Sequence, residues 1–396
     1  MKHQNKVLFE ALELPCGVVL KNRIAKSAMS DSLGDGTGHP TVEQNRLYQR
    51  WAQGGLALSI VGEVQPTSGY AEKPGNLVLN SASDLSKFRE LAHHGGENGV
   101  LLCLQLGHAG ALAYAPISNP KGPSALDLEG LQCEAMTLDE IAQVPVDFAE
   151  TARLAQQAGF GGVQIHAAHG FLLSQFLSPL FNKRMDQYGG TIANRMRLLL
   201  ETIDTVRAAV GPRFLIAVKI NASDQLEGGL QEADALKVIT ALDQTSVDLI
   251  DISGGTYFPG AKSASDSAGH GPYFVEFAKL ARAVSTKPLM LTGGFKSRTQ
   301  AEAVVGSGVV DVVGLARALA LEPALPNLWA ADQMPEPVFP RFQSAPEGGI
   351  TAWYTMRLTE IGADAETSVA TELDQAIEAY DARDAVRTDI WKRYFA

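Results

Sequence analysis

Val163 to Arg195 reads VQIHAAHGFLLSQFLSPLFNKRMDQYGGTIANR. The apolar run Gly162 to Ile165 follows a helical segment that stops at Gly159, so it reads as a buried parallel strand. His166 closes that strand and His169 lies in the turn after it. In a barrel or an open α/β sheet, ligands bind at the carboxyl ends of the strands, which is where both imidazoles fall. A lone histidine there is more often structural. A pair followed by the apolar loop Phe171 to Phe181 points instead to chemistry.

The same rhythm recurs on either side. Strands are predicted over Ile24 to Met29, Leu56 to Val64, Val100 to Leu106, Leu215 to Asn221, Leu249 to Ser253, Leu289 to Thr292 and Val310 to Gly314. Helices are predicted over Thr41 to Gln53, Asp84 to Glu97, Val146 to Ala158, Thr191 to Val210, Gln231 to Leu242, Tyr273 to Val284 and Thr299 to Gly306, and Gly107 to Thr137 reads as a long loop. Eight strands with intervening helices over about 300 residues predict a TIM (β/α)8 barrel. A doubly wound sheet is the alternative, but no strand leads through G-x-G-x-x-G into a helix. Ahead of the barrel, Val7 to Leu20 with its Pro15, Cys16, Gly17 turn predicts a small hairpin that plugs the bottom. Residues 1–330 are thus expected to form the barrel and 331–396 a C-terminal extension: a Pro- and Gly-rich linker over 331–350, then a polar helix from Glu372 to Phe395. Trp391, Tyr394 and Phe395 at its end read as docking residues for the chain's own body or for a second copy in a homo-oligomer.

With 396 residues, 45% hydrophobic and 19% charged, the composition is that of an ordinary globular protein. A net charge of -11 argues against a nucleic-acid partner, which needs basic clusters. Three scattered cysteines suit neither a disulfide framework nor a thiolate cluster, and no apolar run has the length of a membrane span. The expectation is a soluble cytoplasmic protein that binds no membrane.

The strand ends carry the candidate chemistry. The first ends in Ser27, Ala28, Met29 and Ser30, where small residues let backbone approach a flat ring and Ser30 can hydrogen-bond it. The second ends near Gly62 and Glu63. The third, LQLGHAG, turns Gln105 inward with His108 beyond it, and an amide both donates and accepts, as the edge of a flavin or pyrimidine requires. Lys219 in IAVKIN is costly in an apolar strand unless it meets an anion. It would stabilise negative charge on a reduced flavin, form a Schiff base, or pair with a buried carboxylate such as Asp224. Gly293 and Gly294 in LTGGF, with Ala316 and Arg317 in VGLARAL, suit a phosphate at the last two strands, a frequent barrel arrangement.

Taken in order, LKNRIAKSAM, LQLGHAG, HAAHG, YGGTIANR, AVKI, TGG and GLARAL resemble the motifs of the old yellow enzyme family, the FMN-dependent ene-reductases and related NADH:flavin oxidoreductases, over about residues 5–330. The resemblance implies FMN cradled by Ser27 to Ser30, Gly62, Gln105, Lys219, Gly293, Gly294, Ala316 and Arg317. It implies that His166 and His169 grip a carbonyl oxygen in a pocket shared with Ser30, Ser32 and Phe171. NAD(P)H would reduce the flavin, and hydride would pass to an electron-poor alkene such as an enone or nitroalkene, or to a quinone. A barrel-only member without an iron–sulfur cluster is expected, with no metal site. Three residues depart from the family pattern: Ala28 stands where Pro is usual, Lys219 where Arg is usual, and Phe171 where a Tyr donates a proton. Tyr70, Tyr114 and Tyr257 lie in loops that could supply that proton instead. The alternatives are a flavin-independent lyase or isomerase working through Lys219 and, weakest, a hydrolase with a metal on the two histidines.

Overall fold

A barrel strand is covered on both faces, by the interior and by the outer helices, so it is apolar along its whole length rather than alternating. A computed structural model, which describes residues 7–258, 271–343, 345–346, 348–366 and 371–396, has eight such strands in one parallel ring. They are β1 (Ile24–Lys26), β2 (Leu58–Gln65), β3 (Leu101–Leu106), β4 (Gly162–Ala167), β5 (Leu215–Asn221), β6 (Leu249–Ser253), β7 (Leu289–Thr292) and β8 (Val312–Leu315). Each pairs with the next, and β8 pairs with β1, which closes a TIM barrel.

The period of two along each strand sorts the interior. Leu58, Ile60, Cys103, Leu215, Ala217, Leu249, Met290 and Val312 form an apolar cluster with Leu14, Cys16 and Leu20. Those last three belong to the N-terminal hairpin, Leu12–Glu13 paired antiparallel with Val19–Leu20, which seals the amino-terminal end. Two residues further along, the interior turns polar at Gln105, Gln164, Lys219, Asp251 and Thr292. One end of the barrel is therefore plugged with hydrocarbon and the other is lined with hydrogen-bonding groups.

The helices begin where capping residues stand. Thr41 caps α1 (Val42–Gln53) and Asp84 caps α2 (Leu85–Gly95). Thr137 and Glu140 form a capping box that starts α3 at Leu138, so it runs Leu138–Ala158 with Pro145 inside. The helix expected from Val146 thus starts at Leu138 instead, because the reciprocal cap satisfies its first turn and Pro145 is accommodated inside. The stretch expected as a loop over Gly107 to Thr137 holds a three-stranded sheet of Lys121–Gly122, Leu126–Leu128 and Leu131–Ala135.

Past β4, residues expected as loop form α4 (Leu172–Leu177), whose six residues are all buried and so lack the polar stripe that marks a helix in sequence. The helix expected from Thr191 is two, α5 (Ile192–Arg195) and α6 (Arg197–Val210). The ring continues with α7 (Glu232–Asp243), α8 (Val275–Val284), α9 (Arg298–Gly306), α10 (Arg317–Leu321) and α11 (Leu325–Ala330). Residues 349–362, not read as helix, form α12 (Gly349–Gly362) against α1, where a Cβ on Gly362 would meet Glu43 O at 2.5 Å. Finally, α13 (Leu373–Tyr394) buries Trp391 against Ala71 and Val78, a contribution of about 2–3 kcal/mol for a large apolar side chain. From the same helix Arg387 donates to Ser32 O. No described helix is long and apolar enough to cross a membrane.

Candidate active site at the carboxyl end of the barrel

Register brings the polar residues together. Gln105 faces Gln164 across β3–β4, His166 faces Lys219 across β4–β5, and Lys219 faces Asp251 across β5–β6. Asp251, fully buried, is the hub of the resulting belt. Its Oδ2 lies 2.6 Å from Lys219 Nζ and accepts from Gln164 Nε2 at 3.0 Å, while its Oδ1 accepts from Thr292 Oγ1 at 2.7 Å. Gln105 Nε2 donates to Gln164 Oε1 at 2.8 Å, and Thr292 Oγ1 lies 2.8 Å from Ser27 Oγ. The carboxylate partner of Lys219 is thus Asp251, not Asp224, which accepts instead from Asn221 Nδ2 at 3.1 Å and Leu230 N at 2.8 Å. In sequence Asp251 carries the same signal as Lys219, a charge inside an apolar strand, LIDIS beside IAVKIN. Strand pairing is what converts the two anomalies into one neutral pair.

Above this belt sit the histidines. His169 has a left-handed backbone, φ 60°, held by Asn221 Oδ1 accepting from His169 N at 3.1 Å. That turn carries its ring back over the barrel, so that His166 Nε2 lies 3.1 Å from His169 Nδ1 and His169 Nε2 lies 2.9 Å from Ser253 Oγ. Burial, then His169 and Lys219, hold His166 well below the ordinary histidine value, and burial and Lys219 push His169 down to about 3. Both rings are therefore neutral near pH 7. Among the described residues His166 Nδ1 is buried without a partner. If Ser253 donates to His169 and His169 to His166, that open nitrogen carries a proton and is a donor.

Phe171 is buried, its ring 4.6 Å from that of His166. Tyr257 packs its ring edge-on to His169 at 5.8 Å. Tyr70 is engaged elsewhere, stacked on His108 at 3.5 Å with its hydroxyl donating to Asp147 Oδ2 at 2.9 Å.

The remaining predicted residues ring the same end. Ala28, Met29 and Ser30 are half-buried at its rim, and Gly62 is required beside them, since a Cβ there would lie 2.1 Å from Met29 O. Next to Gly62, Glu63 accepts from Asn76 Nδ2 at 3.1 Å; burial and the nearby Glu72 carboxylate hold it well above the usual carboxylate range. Ser32 is buried, its backbone carbonyl accepting from Arg387 of α13 while its hydroxyl has no hydrogen-bond partner among the described residues. Gly293 and Gly294 both have positive φ, 116° and 82°, as half-buried turn residues after β7. Ala316 precedes Arg317, whose guanidinium stacks over the Tyr354 ring of α12 at 5.0 Å. The extension therefore reaches the subsite read as phosphate-binding, a contact no local sequence signal announces.

The donor set fits a flavin mononucleotide. Lys219 Nζ has no aligned hydrogen bond among the described residues despite its ion pair, so it has donors to spare for a flavin ring edge. The glycine turn and Arg317 supply the chemistry for a phosphate. The sequence pattern of the NADH:flavin oxidoreductase / NADH oxidase family matches residues 7–334. The chain belongs to that family.

Two relatives illustrate the similarity. The NADH-dependent flavin oxidoreductase iliE of Hypocrea jecorina is 34% identical over 349 residues, spanning 80% of this chain and 87% of that one. The NADPH dehydrogenase of Bacillus licheniformis is 34% identical over 336 residues, 83% of this chain and 95% of its own length. Against the iliE protein of Neonectria, also 34% identical, the chain spans 46% of the relative's length. In three dimensions the old yellow enzyme homologue of Zymomonas mobilis superposes with a TM-score of 0.72 at 24% identity, covering 84% of this chain and 95% of that one, which shows a shared fold. As a member of this oxidoreductase family, the chain has no support for the alternative of a flavin-free lyase or isomerase.

Proposed function

We propose that the protein is an FMN-dependent oxidoreductase that takes hydride from NADH or NADPH and delivers it to an electron-poor alkene conjugated to a carbonyl, or to a similar acceptor. The observation that carries this reading is the buried histidine pair with one unpartnered nitrogen, His166 Nδ1, on the strand that pairs His166 with Lys219 of the Lys219–Asp251 pair. When bound, FMN supplies the two-electron chemistry between nicotinamide and acceptor. Ser27 to Ser30, Gly62, Gln105 and Lys219 would hold its ring system, and Gly293, Gly294, Ala316 and Arg317 its phosphate.

The chain's own residues do the rest. His166 donates to the carbonyl oxygen of the acceptor, and the bond strengthens as negative charge grows there, which is the differential stabilisation that lowers a barrier. His169, fixed by Asn221 and Ser253, sets the tautomer of His166 and shares the developing charge. Lys219, held 2.6 Å from Asp251, would offer its remaining donors to an electron-rich ring edge.

The purified protein should be yellow, be bleached anaerobically by NADH or NADPH, and regain its colour on addition of cyclohexenone, a nitroalkene or a quinone. A colourless protein that gains no flavin spectrum on incubation with FMN would end this reading.

A further inference from the structure

Replacing the usual Tyr by Phe171 leaves the proposed reaction without a proton source at the acceptor's α-carbon, and the surroundings of the pair hold another phenol. Tyr257 follows β6 in a segment tied to the histidine turn. Thr256 bridges His169 in parallel, and Tyr257 N donates to His169 O at 3.1 Å. Gly170 makes the approach feasible, since a Cβ there would stand 2.1 Å from Thr256 Oγ1. Thr256 and Phe258 are buried at 6% and 2% exposure, Phe258 stacking on Phe181 at 3.8 Å, whereas Tyr257 between them is 58% exposed. Anchored on both sides, its ring turns the other way and meets His169 at 5.8 Å and Phe171 at 5.9 Å. These two ring contacts place the exposed side chain beside the histidine pair. Among the described residues its hydroxyl has no hydrogen-bond partner, and no other tyrosine ring touches the histidine pair.

We propose that Tyr257 is the general acid of this enzyme, standing in for the Tyr that Phe171 displaces. This rests on the oxidoreductase reading above. NAD(P)H is the reductant, and hydride adds to the β-carbon of the enone, leaving an enolate whose oxygen is held by His166. The Tyr257 O–H bond then breaks, its proton goes to the α-carbon with the enolate's electron pair forming the C–H bond, and the carbonyl is restored. The phenolate left on Tyr257 takes a proton from water, which its exposure admits. A phenol exposed to solvent is protonated near neutral pH, so the proton is present when needed.

The test is Tyr257→Phe, with Tyr70→Phe as a control because that hydroxyl serves Asp147. Rates of reoxidation by cyclohexenone and by a quinone, which needs no proton on carbon, are compared in stopped flow. The enone-to-quinone ratio should fall by about 100-fold in Tyr257→Phe and hold in Tyr70→Phe. With a nitroalkene, whose hydride adduct is a nitronate stable in water, Tyr257→Phe should release the nitronate unprotonated. Without any turnover, ultraviolet difference titration should lose one phenol in Tyr257→Phe, and a phenolate ligand seated on the histidine pair should delay the ionisation of that phenol in the parent. An unchanged ratio, or a transition indifferent to the ligand, overturns the assignment of Tyr257 alone. A protein that NAD(P)H does not reduce overturns the underlying reading as well.

Discussion

The rings of Phe171 and Tyr257 meet edge to face, 5.9 Å between centroids and 63° between planes, on the flank of the histidine pair. Two positions from different strands thus border one space, and a hydroxyl on either could serve it. Phe171→Tyr alone should speed reoxidation by cyclohexenone only modestly. In the Tyr257→Phe background the same substitution should recover at least tenfold of the lost rate, out of a general-acid contribution of roughly 10²- to 10⁴-fold. Stopped-flow rates on the four proteins form the cycle; a Phe171→Tyr substitution with equal effect in both backgrounds would show that the two positions do not share a substrate atom.

The histidines should be unequal. His166 offers the open nitrogen, and His169 is spent on His166 and Ser253. Phenol affinity, followed by the charge-transfer band that phenols give with a bound flavin, should drop by about 10- to 100-fold in His166→Ala, as when one hydrogen bond to a charged group is lost. His169→Ala should weaken it less. The reverse order would mean that His169 makes the direct contact.

Arg317→Ala removes the bidentate partner offered to the phosphate and should weaken FMN retention by tenfold or more, since a charge-assisted bond is worth roughly 1.5–3 kcal/mol. Tyr354→Ala should produce a smaller loss, because the Tyr354 ring supports the guanidinium from one face rather than meeting the phosphate. Dialysis against buffer with flavin fluorescence in the filtrate measures both. An Arg317→Ala protein that retains FMN like its parent would move the phosphate elsewhere.

Lys26 makes stability depend on pH. It is fully buried under Tyr48 and Trp51, donating to Ile60 O at 2.7 Å, and burial pushes its ammonium down to about 7. Between pH 7 and about 10.4 the unfolded chain binds a proton here that the native protein does not, so stability falls as pH falls through that window. The loss is complete below pH 7 and amounts to a few kcal/mol, at about 1.4 kcal/mol per pKa unit. Lys26→Met should accordingly raise Tm at pH 7, with the gain shrinking toward pH 10. A gain that is constant with pH would assign it to packing rather than to the proton.

Sequence alone was enough for whatever depends on neighbours along the chain. Apolar runs of strand length, helix caps at Thr41 and Asp84, and the Pro15 to Gly17 turn are local, so the barrel and its closing hairpin were legible. The placement of His166 at a strand end was legible for the same reason. The capping box at Thr137 and Glu140 is also local, and it starts the helix eight residues before the expected Val146. What remained hidden arises between distant segments. Lys219 and Asp251 are each an unexplained charge until β5 and β6 pair in register, because the desolvation cost of one is offset only by the other. The helix Leu172–Leu177 has no polar face to reveal its period, being buried all round. The stacking of Tyr354 on Arg317 and the meeting of Tyr257 with Phe171 join residues 37 and 86 positions apart, as their numbers give, and depend on side-chain direction set by packing on both flanks. Local propensity carries no information on such contacts, so only the closed barrel decides them.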